Sequence, residues 1–141
     1  MENNFVDPTI GNNINQKIDF NVIATQFVTF FYNSLDTNIN NLIDVNGKFL
    51  YKDNSEMCIQ GIMVKGPEQI YQKIIELHNR NCQHNVDSID VVTSGSRRLN
   101  ILVTGRIQLD GFIYAFTEYF HLASGKKEGE WWIQSDIIRT L

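Results

Sequence analysis

The chain has 141 residues, of which 43% are hydrophobic and 20% are charged. This balance is typical of one folded domain with a real hydrophobic core, and it excludes an intrinsically disordered chain. The formal net charge of −4 argues against broad binding to nucleic-acid backbones, which needs a basic surface.

The apolar runs are far shorter than the roughly 20 residues that a membrane span needs. Residues 1–5 lack the basic and then apolar pattern of a secretory signal. The two cysteines, Cys58 and Cys82, form no CxxC pair. We therefore expect an intracellular protein with free thiols rather than a disulfide.

Residues 1–17 are rich in Asn, which predicts a flexible leader before a single domain over residues 18–141. From residue 20 onward, apolar residues recur every three or four positions and predict a long amphipathic helix. Asp19 is suited to cap its start, and the turn formers at residues 36–38 to end it. The same spacing continues through residues 39–43 and predicts a short second helix. The apolar stripe of the first helix comprises Phe20, Ile23, Phe27, Phe30, Phe31 and Leu35.

The middle of the chain predicts a small hairpin and then a third helix. Residues 48–52 and 57–64 have strand composition, and the polar residues 53–55 between them predict the turn. Pro67 suits the first position of a helix and Glu68 suits its first turn. We expect this helix to end near residue 79.

The last third of the chain predicts four strands, over residues 83–93, 99–109, 112–122 and 130–141. Their connections have hairpin chemistry, most clearly Asp110-Gly111, so consecutive strands should pair antiparallel. The expected fold class is α+β, with three helices packed on one face of a strongly bent, mostly antiparallel sheet.

The closing strand carries two tryptophans and two charges. Neighbouring side chains of a strand point to opposite faces, so one of Trp131 and Trp132 should face the core and the other should face outward. An outward Trp is a good anchor for another subunit. Asp136 and Arg139 are three residues apart, so they should also lie on opposite faces and need not pair with each other.

Five strings, in this order and spacing, resemble the nuclear transport factor 2-like family over about residues 18–141. They are QFVTFFY at 26–32, GPEQI at 66–70, VTG at 103–105, FTEYFHL at 116–122 and SDIIR at 135–139. The resemblance implies a cone-shaped fold, in which a curved sheet wraps around helices and leaves a hydrophobic cavity. It also implies a dimer formed through the outer face of the sheet.

The resemblance implies a non-enzymatic adaptor of nucleocytoplasmic transport in cytoplasm, nucleus and nuclear pore complex. One branch of the family carries GDP-bound Ran and binds Phe-Gly nucleoporins. A second branch pairs with the like domain of an mRNA export receptor, which makes either a homodimer or a heterodimer possible. A third, the N-terminal domain of stress-granule and deubiquitinase-cofactor proteins, binds Phe-containing peptides. We expect no cofactor, no direct nucleic-acid partner and no membrane partner.

The resemblance also implies partner-binding residues. In the Ran carrier, an aromatic residue at the cavity mouth is followed by an acid that pairs with Ran, and the matching positions here are Tyr51 and Lys52. The base in place of the acid weakens the expectation of Ran binding, because attraction becomes repulsion. Asp110 and Ile138 complete the expected cavity mouth and rim. The expected dimer or partner face comprises Trp131, Trp132, Asp136 and Arg139.

An enzymatic alternative remains, because some relatives are isomerases or dehydratases with a tyrosine and a carboxyl in the cavity. It requires a deep closed cavity, and no recurring His–Asp spacing marks a catalytic pair. Metal binding has still less support, because the cysteines and histidines lack paired zinc-site spacing. We therefore expect no catalytic and no metal site. The residues weighed were Tyr32, Tyr51, Tyr71, Tyr114, Tyr119, Asp87, Asp90, Asp110, Asp136, Cys58, Cys82, His78, His84 and His121.

Overall fold

The computed structural model describes residues 19–43, 47–95, 97–125 and 129–141, so the predicted leader at residues 1–17 lies outside the described part. The helices are α1 (Phe20–Thr37), a short 3-10 helix (Ile39–Leu42) and α2 (Pro67–His78). The strands are β1 (Tyr51–Ile59), β2 (Ile62–Lys65), β3 (Gln83–Thr93), β4 (Arg98–Leu109), β5 (Phe112–Ser124) and β6 (Trp131–Thr140). None of the described helices is long and apolar enough to cross a membrane.

Helix α1 begins and ends where its capping residues predict. The Asp19 carboxylate accepts hydrogen bonds from the backbone N–H groups of Asn21 and Val22 at 3.0 and 3.3 Å, which satisfies donors that the first turn leaves free. At the other end, the Asn38 side chain accepts from the backbone N–H of Asn40. Asn38 thereby starts the 3-10 helix directly after α1, and only one turn fits before residue 43. The described residues therefore form two α-helices, with a 3-10 turn in place of the predicted second helix.

The turn predicted at residues 53–55 is wrong, because β1 runs straight through it to Ile59. Ser55 is buried, and its hydroxyl donates to the carbonyl of Ile133 at 2.6 Å while accepting the N–H of Lys52 at 2.8 Å. The polar residue thus supports the strand instead of ending it. The chain reverses at Gln60 and Gly61, which both have positive φ, of 49° and 83°.

The sheet order is β2-β1-β6-β5-β4-β3. The four last strands form the predicted antiparallel meander. Beyond the prediction, β6 also pairs parallel with β1, with Tyr51 opposite Ile133 and Ile59 opposite Ile138. The closing strand is therefore central in the sheet, and partners on both sides hold it in place.

The inner face of the sheet packs on α1 through aromatic rings. The ring of Phe120 meets Phe27 and Phe31 edge to face, at centroid distances of 5.1 and 5.0 Å. Such pairs add to the gain from burying apolar area. Gly105 of β4 allows β3 and the Phe116 ring to approach closely. A Cβ at this position would meet the carbonyl oxygen of Asn85 and lie 2.9 Å from the Phe116 ring.

We predict that Gly105→Ala lowers the free energy of unfolding by on the order of 3 kcal/mol, since the backbone of β3 must move to admit the methyl group. Urea denaturation measures the loss. Gln108→Ala, at an exposed position of the same strand, is the matched control and should change stability by less than about 0.5 kcal/mol. Equal stability of the two variants would contradict the close approach of β3 and β4 at Gly105.

Candidate functional site

A small cavity lies between the helices and the inner face of the sheet. Its volume is about 20 Å³, which is enough for about one water molecule. Apolar side chains make most of the wall, and Glu118 and Lys73 are its two charged residues. The lining comprises Phe31, Leu35, Met57, Ile59, Lys73, Ile74, Leu77, Glu118 and Ile138.

An open groove of about 230 Å³ adjoins this cavity, and the two share Ile59, Lys73 and Leu77 as lining residues. The end of β1 and the exposed side of α2 form the groove. We call the shared edge the mouth. The groove is lined by Ile59, Gln60, Ile62, Lys73, Glu76, Leu77 and Arg80.

Two buried acids, each bonded to a tyrosine, lie at and behind the cavity wall. The Tyr32 hydroxyl donates to Oε1 of Glu118 at 2.9 Å, and the Tyr51 hydroxyl donates to Oδ2 of Asp136 at 2.7 Å. Only 2% of Glu118 and 1% of Asp136 is exposed. We call these four residues the acid network.

Burial is the main reason why the pKa of Glu118 is raised well above its usual value, and the neighbouring Asp136 charge raises it further. Burial also raises the pKa of Asp136, while hydrogen bonds from Glu118 and Tyr51 oppose that rise. Oδ1 of Asp136 has no partner among the described groups unless a protonated Glu118 donates to it. One proton shared by the two acids would give Oδ1 of Asp136 a hydrogen-bond donor and would avoid two adjacent buried charges.

The same environment keeps both phenols protonated. Burial and the nearby carboxylates raise the pKa of Tyr32 and of Tyr51 well above the usual value. The pairing of a tyrosine with a carboxyl meets one condition of the enzymatic alternative. The other condition is a deep closed cavity, and the cavity beside Glu118 has a volume of about 20 Å³.

Tyr51 and Lys52, which the resemblance implies at a cavity mouth, are not among the residues that line this cavity or the groove. Tyr51 is 1% exposed and belongs to the acid network, because the parallel pairing of β1 with β6 draws it under the sheet. Lys52 lies on the opposite face of the sheet from Tyr51. Its Nζ is 3.8 Å from the ring centre of Trp132 and 3.6 Å from Oε1 of Glu130. Tyr51 and Lys52 both border a separate open pocket of about 350 Å³.

Asp110 and Ile138 lie near the mouth. Ile138 lines the cavity. The exposed Asp110 accepts a hydrogen bond from Nε of Arg80 at 2.8 Å, and Arg80 lines the groove. The rim therefore carries opposite charges, and an exposed pair of this kind adds little to stability.

The predicted dimer face divides between the two sides of β6. Trp131 and Asp136 are buried on the inner face, so neither can contact a partner on the outer face. Trp132 and Arg139 lie on the outer face, where Trp132 is half-buried and Arg139 is exposed. A register shift between β5 and β6, around His121 and Leu122, restores the inward direction to Asp136.

The outer face also carries an apolar row that the sequence reading missed. Strand register places five side chains side by side across five strands, from β2 to β4. Three of them are well exposed, at 63% for Met63, 50% for Ile137 and 41% for Leu102. We call these residues the outer row, and they are Met63, Cys58, Ile137, Tyr119 and Leu102. Alternation along each strand predicts that these residues face outward, but only the strand register shows that they are neighbours.

The sequence also held a signal for Glu118 that was overlooked. Glu118 is two residues from Phe116 and from Phe120, so strand alternation places all three on one face. The two phenylalanines are core residues by composition, and the acid between them must therefore be buried with them. A buried acid needs a hydrogen-bond partner, which α1 supplies through Tyr32.

A polar cluster separate from the acid network joins the end of α1 to β3. Asp36 accepts from the backbone N–H of His84 and bonds Nδ1 of its ring, both at 2.7 Å, and lies 3.5 Å from Sγ of Cys82. These are metal-ligand types in close proximity. However, burial and Asp36 raise the pKa of the Cys82 thiol to about 12, and Asp36 is already bonded. The cluster fits a structural tie between the two elements.

Comparison with known proteins agrees with this geometry. The family model described as the nuclear transport factor 2 domain matches residues 23–140. The chain belongs to the nuclear transport factor 2 family. The resemblance drawn from the sequence is thereby confirmed.

Curated relatives match over nearly their whole length. Nuclear transport factor 2 of Schizosaccharomyces pombe is 27% identical over 86% of this chain and 95% of that protein. Nuclear transport factor 2 of Neurospora crassa is 30% identical with the same coverage. The solved structure of nuclear transport factor 2 from Cryptosporidium parvum has a TM-score of 0.76 at 26% identity, covering 92% of this chain and all of that one. These matches confirm the predicted fold class.

More distant solved structures share the fold alone. The yeast UBP3-associated protein BRE5 has a TM-score of 0.72 at 20% identity, covering 89% of this chain and 98% of that one. A scytalone dehydratase homologue from Novosphingobium aromaticivorans has a TM-score of 0.63 at 16% identity, covering 86% and 85%. The fold therefore accommodates both binding proteins and enzymes, and the residues of the site must separate them.

We predict that Glu118→Gln makes the protein more stable than wild type at alkaline pH and equally stable at acid pH. The folded state holds the Glu118 proton more tightly than the unfolded chain does. Wild-type stability therefore falls, by up to ~1.4 kcal/mol per pH unit, as pH rises from the usual glutamate pKa toward the raised one. The amide cannot ionise, and it can still accept from Tyr32 and donate to Asp136.

Urea denaturation at several pH values measures this difference. Glu56→Gln, at a partly exposed position of β1, is the control and should parallel wild type. If wild type and Glu118→Gln had the same pH dependence, Glu118 would not hold a proton in the folded protein.

Proposed function

We propose that this protein is a dimeric, non-enzymatic protein-binding factor of nucleocytoplasmic transport, present in cytoplasm and nucleus and at the nuclear pore complex. The observation that carries the proposal is the end-to-end match to proteins named nuclear transport factor 2. Those relatives come from fungi and a plant and align over about 95% of their own length. The match thus extends to the whole relative rather than to one shared segment.

The cavity supports a binding role over a catalytic one. Catalysis needs a substrate position within hydrogen-bond reach of the acid or base. Here Glu118 already accepts from Tyr32, and the space beside it amounts to about 20 Å³. The groove outside is open and has apolar walls with charges at the rim, which suits a side chain of a protein partner.

The outer row supports dimerisation through the sheet. It is a continuous, mostly apolar strip with Arg139 and Asn100 among the polar groups beside it, and Asn100 accepts a hydrogen bond from the hydroxyl of Tyr119. An exposed apolar strip on a sheet face is a typical partner surface. We propose that a second copy of the chain, or a like domain, covers it.

For the transport partners, the position next to the mouth is decisive. Two adjacent residues, Ile59 and Gln60, line the groove, whereas Tyr51 and Lys52 border another pocket. If the family's aromatic and acidic pair belongs at this position, the chain has neither member of it. We therefore propose that it binds GDP-bound Ran weakly and that Phe-Gly nucleoporins bind independently of the mouth.

The export-cofactor and deubiquitinase-cofactor alternatives rest on fold likeness alone. Solved structures of a peptide bound to Mex67:Mtr2 and of the yeast deubiquitinase Ubp3 with its Bre5 cofactor match this chain at 17% and 20% identity. Capture of a like domain as a heterodimer partner, with no homodimer in the purified protein, would favour the export role over the import role.

We predict that Ile137→Asp weakens dimerisation at least about tenfold, because a carboxylate in the middle of the outer row loses its water on association. Sedimentation velocity measures the dissociation constant. Ile62→Asp is the control, since Ile62 is 59% exposed but lines the groove, and it should leave the dimer unchanged. A wild-type protein that stays monomeric at high concentration would overturn the dimer proposal.

We predict that Gln60→Glu strengthens binding to GDP-bound Ran several-fold, because it adds an acid at the mouth. Lys52→Glu should have little effect, because Lys52 lies beside Trp132 and does not line the groove. Calorimetric titration with GDP-bound Ran compares the two variants with wild type. Stronger binding by Lys52→Glu and not by Gln60→Glu would show that Tyr51 and Lys52 are the positions that match the aromatic and acidic pair of the Ran carrier. If wild type bound neither GDP-bound Ran nor a Phe-Gly peptide and was monomeric, the transport proposal would fail.

A further inference from the structure

The groove between the end of β1 and the exposed side of α2 is basic, although the protein as a whole is acidic. Its charged lining residues are Lys73, Glu76 and Arg80, which is two cations against one acid. The whole chain has a formal net charge of −4. A local charge opposite in sign to that of the chain favours an anionic group of a partner at this place.

The two cations of the groove differ in how they are balanced. Nζ of Lys73 lies 3.5 Å from a carboxylate oxygen of Glu76, three residues further along α2, so this pair is balanced within the lining. Nε of Arg80 donates to Oδ2 of Asp110 at 2.8 Å, and Asp110 is not among the lining residues. Arg80 is therefore the cation that the groove itself leaves without an acid.

Asp110 also orients the Arg80 side chain. The backbone N–H of Asp110 donates to the carbonyl of Arg80 at 2.9 Å, so the two residues are joined through both backbone and side chain. A guanidinium group has five donors in one plane, and the contact with Asp110 uses Nε. The two Nη groups have no partner among the described residues. Such a fork binds a carboxylate through two parallel hydrogen bonds.

The rest of the groove offers mainly apolar contact. Ile62 is 59% exposed, and Ile59 and Leu77 also line the groove. The amide of Gln60, the remaining lining residue, is already bonded. Its Oε1 accepts from the backbone N–H of Thr140, and its Nε2 donates to the carbonyl of Thr140. A partner therefore finds an apolar wall with one orientated cation beside it.

We propose that the groove binds a segment of a protein partner in which an aspartate or a glutamate lies next to a large apolar residue. The carboxylate binds the guanidinium group of Arg80, and the apolar side chain packs on Ile62 and Leu77. The proposal rests on the proposed function and names the kind of partner segment that the groove selects. A lysine or arginine in place of the acid meets a like charge at Arg80, which disfavours it.

The charges of the groove favour a carboxylate over a phosphate group. A phosphorylated side chain carries nearly two negative charges at neutral pH. Glu76 lines the same groove and repels a double charge more strongly than a single one. Lys73 does not offset this repulsion, because it is already paired with Glu76.

The test titrates the full chain, labelled with ¹³C at isoleucine methyl groups, with capped peptides that differ in one residue. The parent peptide is acetyl-Gly-Ser-Leu-Asp-Ser-Gly-amide, and Asn, Lys or phosphoserine replaces its Asp. We expect the Asp peptide to shift the methyl resonances of Ile59 and Ile62 with saturation. It should bind at least about threefold more tightly than the Asn peptide, since the ion pair is partly exposed. The Lys peptide should bind more weakly than either.

Three variants make the test specific. Arg80→Gln should lower the affinity for the Asp peptide to that for the Asn peptide and leave Asn-peptide binding unchanged, which shows that the groove is intact. Arg80→Lys keeps the charge without the fork and should retain only part of the preference for Asp. Lys65→Gln removes an exposed cation of β2 that does not line the groove. It is the matched control and should behave as wild type.

Equal or tighter binding of the Lys peptide would overturn the proposal, and so would a preference for Asp that Arg80→Gln leaves unchanged. Tighter binding of the phosphoserine peptide would overturn the choice of a carboxylate, and no binding of any peptide would overturn the site. The proposed transport function has a separate fate. It fails when GDP-bound Ran, Phe-Gly peptides and dimerisation are all absent, whichever peptide the groove prefers.

Discussion

Strand β6 carries hydrogen bonds on both edges, antiparallel to β5 and parallel to β1, and the position of each candidate residue follows from that. The parallel pairing places Tyr51 beneath the sheet, where its hydroxyl meets Asp136. It also carries the end of β1 to the mouth, next to Ile138. Without it, the small hairpin of β1 and β2 would have no fixed relation to the cavity.

The acid network is the electrostatic consequence of this arrangement. Glu118 comes from β5 and Asp136 from β6, and they adjoin because these strands are neighbours in the sheet. Tyr32 of α1 and Tyr51 of β1 supply a hydroxyl group each. Four elements therefore meet at one pair of carboxyl groups. Two charges so deeply buried side by side would repel strongly, so we expect the pair to hold one proton.

The sequence predicted what local pattern controls. The spacing of apolar residues and the capping by Asp19 marked α1, Pro67 marked α2, and Asp110-Gly111 marked the hairpin of β4 and β5. It could not predict the pairing of Tyr51 with Asp136, since 85 residues separate them and no turn signal links β1 to β6.

Misplaced site residues have the same cause. Ser55 contributes to the predicted turn because serine is common in turns. In the folded chain, its hydroxyl instead donates a hydrogen bond to the backbone of β6. That error shifted the expected hairpin turn from Gln60 and Gly61 to residues 53–55. The outer row was missed because adjacency across five strands depends on register, which no single strand reveals.

The claim on which the account of the cavity depends is that Glu118 and Asp136 share one proton in the folded protein at neutral pH. Carboxyl-carbon NMR of the protein labelled with ¹³C at Glu and Asp measures it directly, with Glu118→Gln to assign the resonance. We expect the Glu118 carboxyl to titrate well above the usual glutamate pKa of about 4.3. Titration of both carboxyls in the ordinary acid range would contradict the shared proton.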